Sequence, residues 1–171
     1  MKTVATVGLA LAATFSACRG DQEPTQSAST SLDAVVTTST APKLSDSDAG
    51  PLVAELKARG LPIAEIKTFT AADDPNDQLG RPGGYKSKTS WHDSRVDEDD
   101  EVGVDGGGSI EAFDNAKDAK KRYDYVDALS HGNAMFNEYH WLVGKAFLRV
   151  SKRLTPDEAE AYHAALTAIL S

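Results

Sequence analysis

Apolar residues recur at helix and strand spacings only beyond about residue 50. Pro51 to Arg59 sets Leu52, Val53 and Leu56 on one helical face, with Pro51 suited to a first turn and Gly60 to the end. Leu61 to Thr70 changes to strand character, with Ile63, Ile66 and Phe69 among polar positions. Asp73 to Gly84 is a turn-dense loop. Tyr85 to His92 alternates Tyr, Ser, Thr and Trp with Lys, Lys, Ser and His, which predicts a second strand with one apolar-leaning face. Ser109 to Phe113 predicts a third strand, and Asp114 or Asn115 can cap a helix that aligns Ala116, Ala119, Tyr123 and Val126 and ends near His131 and Gly132. Asn137 to Val143 and Lys145 to Val150 read as a hairpin turning near Gly144, with Tyr139, Trp141 and Val143, then Ala146, Leu148 and Val150, on one face. Thr155, Pro156 and Glu158 form the start of a last helix whose buried stripe is Ala159, Tyr162, Leu166 and Ile169.

This order, α-β-β-β-α-β-β-α, predicts an α+β fold: a small antiparallel sheet of about five strands covered on one side by helices. It lacks the regular strand–helix alternation of a doubly wound sheet. One domain is expected over residues 50–171.

The first fifty residues have a different pattern. Lys2 is followed by an apolar stretch from Val4 to Phe15, too short to span a bilayer that needs about 20 residues. Residues 1–17 therefore read as a signal peptide. The stretch closes on Phe15-Ser16-Ala17-Cys18, which resembles the lipobox of bacterial lipoproteins, with Phe15 where that family usually has Leu. The resemblance implies a diacylglyceryl group on the Cys18 thiol, cleavage on its N-terminal side and a place at the extracytoplasmic face of the cell membrane. Plain secretion, with Thr14 and Ser16 serving a cut one residue earlier, and an uncleaved anchor are the alternatives. Residues 18–49 are rich in Ser, Thr, Ala and Asp without an aromatic side chain, and are expected to form a disordered tether reaching roughly 30 Å.

Charge and cysteine count narrow the picture. The formal net charge of −8 argues against a nucleic-acid partner, which needs clustered Lys and Arg, and against electrostatic attraction to anionic lipid. A single cysteine excludes an internal disulfide and a thiolate-built zinc site.

No motif in the domain names a reaction, so no catalytic residue, metal or cofactor is assigned. The acidic run Asp93, Asp97, Glu98, Asp99, Asp100, Glu101 and Asp105 could hold calcium but lacks the EF-hand spacing, and a solvated loop is the plainer expectation. The loop from Asp74 to Tyr85 offers Asn76, Arg81 and Tyr85 as a ligand or partner contact, with Arg81 otherwise expected to tie the loop to a carboxylate. His92, His131, His140 and His163 lie on separate elements, His140 being expected to face outward. Tyr85, Trp91, Tyr139 and Trp141 could form a glycan platform, but alternation with polar residues favours core packing.

Three stretches, DPNDQLGRPGGYKSK, GGGSIEAF and EYHWLVGKAFLRVSKRLTPDEAEAYHAAL, make the domain resemble a group of short lipoproteins of actinobacteria. The resemblance implies location and single-domain architecture and assigns no site residues. The expected function is a tethered, non-enzymatic binding or interaction module of the cell envelope, its partner an envelope protein or wall polymer. The alternatives are a small hydrolase acting on wall material, or an inhibitor or assembly factor.

Overall fold

The structure, a computed structural model, describes residues 43–97, 100–133 and 136–171. The expected signal peptide, Cys18 and most of the expected tether lie outside the described residues, as do Glu98 and Asp99 of the acidic run. Among the described residues no helix is long and apolar enough to cross a membrane.

Eight elements follow in the expected order: α1 (Ala49–Ala58), β1 (Ile63–Thr68), β2 (Ser87–Asp93), β3 (Gly107–Ala112), α2 (Ala116–Gly132), β4 (Tyr139–Val143), β5 (Ala146–Val150) and α3 (Pro156–Leu170). Asp48 caps α1, and Gly60, at φ 89°, closes it: the Gly60 amide bonds the Lys57 carbonyl and the Leu61 amide bonds the Leu56 carbonyl. Asn115, rather than Asp114, caps α2. On α3 the full capping box forms, Thr155 and Glu158 satisfying one another's backbone amides.

The five strands make one antiparallel sheet in the order β1-β2-β3-β5-β4. One face carries Trp91, Ile110, Leu148 and Val150, and packs on Leu52, Val53 and Leu56 of α1 and on Tyr162 and Leu166 of α3. The other face is not bare. Phe147 and Leu142 on it meet Ala119, Tyr123 and Val126 of α2, with Tyr85 and Phe113 beside them. The expected single helical layer is therefore two: α1 and α3 share one face, and α2 covers part of the other. Period-two alternation locates a polar face but cannot say whether that face meets water or a second layer.

Three local expectations change with it. Tyr85 precedes β2 and turns to the α2 side, opposite Trp91. In β1 the register shifts between Ile63 and Ile66, and of the two Ile63 is buried while Ile66 is exposed. The folded body also begins before residue 50: Leu44 packs on the core, Ala49 is fully buried, and Asp46 accepts from the Lys145 amide at 3.1 Å.

Candidate functional site

On the α2 side of the sheet the polar strand positions are buried. Cross-strand register sets Lys88 of β2 beside Glu111 of β3, and Glu111 beside Phe147 of β5. Glu111 is fully buried. Burial opposes its ionisation, but Arg122 of α2, donating from Nε at 2.8 Å and Nη2 at 3.0 Å, and Arg149 of β5, donating from Nη1 at 3.3 Å, outweigh it and hold its pKa below the usual carboxylate range. Arg149 donates from its other two nitrogens, Nε and Nη2, to Glu138 at 2.7 and 2.6 Å. The four side chains form a continuous salt-bridged network that ties α2 to the sheet.

The loop before β2 is fixed on this network by Asp74. Its carboxylate accepts from the amides of Gln78 at 2.8 Å and Leu79 at 3.1 Å, from the Tyr85 hydroxyl at 2.6 Å and from Lys88 Nζ at 3.1 Å. Burial again works against the charge, and these bonds overcome it, leaving the carboxyl at about 2. Burial and the Asp74 carboxylate push the Tyr85 hydroxyl well above its ordinary value. Asn76 sits between two cations, which require its amide oxygen to face them; so placed, it accepts from Lys88 Nζ at 3.2 Å and Arg122 Nη2 at 3.3 Å. At Gly84 a Cβ would run into the Gln78 carbonyl, so the close crossing of the loop excludes larger residues there.

Between this loop, α2 and the sheet lies a cleft of about 530 Å³. Arg122, Arg149, Glu138 and Asn76 supply polar lining, and Phe113, Val126 and Leu129 supply apolar lining. Tyr125, Leu129 and Phe136, 56%, 37% and 52% exposed, also line the cleft, and they are three of the four exposed large hydrophobics among the described residues. Among the described residues no Ser, Thr, Cys or His lines it. A smaller cavity of about 220 Å³ lies across Asn76 and Arg149, bounded by Lys88, Ser90, Ser109 and the 101–105 loop; the buried Ser109 hydroxyl has no hydrogen-bond partner among the described residues.

Of the residues singled out in the sequence, Asn76 and Tyr85 lie together in the cleft wall. Arg81 is not in the lining: it pairs with Asp77 at 2.6 Å, both side chains more than half exposed, and so ties down the loop tip. Arg122, Tyr125, Leu129 and Phe136 were not singled out. A signal existed, since Arg122, Tyr125, Val126 and Leu129 follow i, i+3, i+4, i+7 spacing and form a second stripe on α2.

The other candidates fall elsewhere. Asp93 of the acidic run is buried, accepting from the Tyr162 hydroxyl at 2.6 Å and from Arg95 at 2.6 and 2.9 Å, which joins β2 to α3. Asp100 pairs with Arg153 at 2.8 Å, and among the described residues no three potential ligands converge on a metal position. His140 does lie opposite the aromatic face of β4, but not in solvent: its side chain is 8% exposed, 3.3 Å from Asp127 and edge-on to Tyr123. His92 is buried against the Asp97 carbonyl at 3.0 Å. Trp91 and Tyr85 are fully buried core residues, and Tyr139 and Trp141, partly buried on the edge strand, also pack against the core and stack on each other at 6.3 Å, with His163 stacked on Trp141 at 5.0 Å. No family model, curated protein or solved structure matches the chain.

Proposed function

We propose that this chain is a lipoprotein, held at the extracytoplasmic face of the cell membrane through lipid on Cys18, whose folded domain is a non-enzymatic binding module of the envelope. The Phe15-Ser16-Ala17-Cys18 sequence supports the anchor. The cleft beside α2 supports the binding role, and one observation carries it: three of the four exposed large hydrophobics gather around a single concave site with a charged lining. Scattered exposed apolar residues need no explanation; gathered ones mark a contact surface. The non-enzymatic reading rests on the lining itself. Glu138 and the neighbouring Glu111 are each held by guanidinium groups, and among the described residues the lining has no hydroxyl, thiol or imidazole of the kinds that serve acyl transfer, Tyr85 and Tyr125 apart.

Native mass spectrometry of the protein released gently from its own membranes tests this. Wild-type protein should carry a non-covalent adduct that a folded Leu129→Arg variant, with its cleft obstructed, does not. The same mass with and without the substitution, after correction for the residue change, would count against the cleft as the binding site.

A further inference from the structure

Among the described residues, the charge left unpaired in the cleft lining is of one sign. Both carboxylates are spent: Glu111 accepts from Arg122 twice and from Arg149, and Glu138 accepts twice from Arg149. The cations are not. Arg122 uses Nε and Nη2 on Glu111, while its Nη1 has no bond among the described residues; its side chain is 16% exposed, into the cleft. Lys121, the next residue and also in the lining, forms no ion pair among the described residues. An occupant that satisfies this site presents acceptors, and preferably negative charge, to Arg122 and Lys121.

The remaining walls ask for something different. Tyr125, Val126 and Leu129 follow Arg122 along the same helical stripe, and Phe136 and Phe113 lie with them in the lining. Apolar surface and unspent cationic donors therefore adjoin on one helix, within a cavity of the size used for small ligands, about 300–1,000 Å³. The chain's net charge of −8 opposes docking on an anionic bilayer, while leaving a single anion free to enter a locally cationic cleft.

Resting on the binding role proposed above, we infer that the ligand is a small amphiphilic anion taken as a monomer, its carboxylate or phosphate on Arg122 and Lys121 and its apolar body against Tyr125, Leu129 and Phe136. The charged group is recognised by a guanidinium already held in place by Glu111 and by the exposed ammonium of Lys121 beside it, and the tail covers the exposed apolar stripe. Carboxylates and phosphate monoesters share this chemistry.

Calorimetric titration of the full chain with decanoate, decyl phosphate, decanol and decyltrimethylammonium, each below its micellar concentration, tests it. The anions should bind about tenfold or more tighter than decanol, since each forms charge-assisted bonds that a neutral hydroxyl does not. The ammonium compound should bind weakest. Lys121→Gln, at an exposed position without an ion pair among the described residues, should weaken the anions several-fold and leave decanol unchanged. Leu129→Arg should weaken decanol, with an unchanged unfolding temperature as the control for folding. Decanol or the ammonium binding as tightly as the anions would overturn the anion preference while leaving the cleft as a binding site. Attachment to phosphatidylglycerol vesicles in preference to the monomers would overturn the monomer claim. If no amphiphile binds but the membrane-derived protein retains an adduct, the ligand class is wrong and the binding role stands; if neither is seen, both fall.

Discussion

Glu111 of β3 and Arg122 of α2 form a two-point pair, at 2.8 and 3.0 Å, across the boundary between the sheet and its second helical layer. The carboxylate is fully buried, so the pair carries the cost of desolvating both groups as well as their attraction. Its importance shows most when only one partner is removed. Arg122→Ala should destabilise the domain by about 3–5 kcal/mol in urea unfolding, because Glu111 is left with the single, longer bond from Arg149. The double substitution Glu111→Leu with Arg122→Leu should recover much of that loss, the buried charge having gone with its partner.

Acid should loosen this side of the sheet first. Asp74 is held at about 2 against an ordinary 3.8, and Glu111 on the same side is also held low. A carboxyl depressed in the folded state contributes stability in full above its unfolded pKa and loses it as pH falls through the folded one. Unfolding free energy should therefore fall as pH drops from about 4 towards 2. Tyr85→Phe removes one bond that holds Asp74 low. That variant should be less stable at neutral pH, yet show a shallower further loss over the same interval in a pH series of urea midpoints.

On the opposite face Gly108 lies under the Trp91 ring, and a Cβ there would collide with the ring and with the Arg149 carbonyl. Gly108→Ala should lower stability by about 1–3 kcal/mol through overpacking, with a change in Trp91 fluorescence. Gly132→Ala, at a position with open space around the added carbon, is the matched control and should have little effect.

The sequence carried the strand and helix order because periodicity and capping are local. Thr155, Pro156 and Glu158 define the start of α3 almost unaided, and Ala159, Tyr162, Leu166 and Ile169 are its buried residues as their spacing indicates. The second helical layer was not legible. Lys88, Glu111 and Arg149 occupy alternate strand positions that suit solvent equally well, and their burial depends on α2 and the 74–85 loop folding back over them. Asn76 and Tyr85 could be singled out because a long turn-rich loop draws attention to itself; Arg122 and Glu138 acquire meaning only through partners distant in sequence. The apolar stripe through Tyr125 and Leu129 was present in the pattern, but the stripe through Ala119 and Val126 competes with it on the same helix.

The proposed anchor has its own test. Cells fed labelled palmitate should incorporate it into the wild-type protein and not into a Cys18→Ser variant, which should leave the membrane fraction. Equal labelling of both, or membrane retention of the variant, would contradict attachment at Cys18.

The central claim, that the cleft beside α2 is where this domain meets its ligand, is tested most directly by side-chain NMR. The protein would be titrated with an envelope extract fractionated into amphiphiles and wall-polymer fragments. The account predicts shifts concentrated on Tyr125, Val126, Leu129 and Phe136 with an amphiphile fraction, while Tyr139 and Trp141 on the edge strand stay unchanged. Shifts confined to Tyr139 and Trp141, with the cleft residues silent, would contradict it.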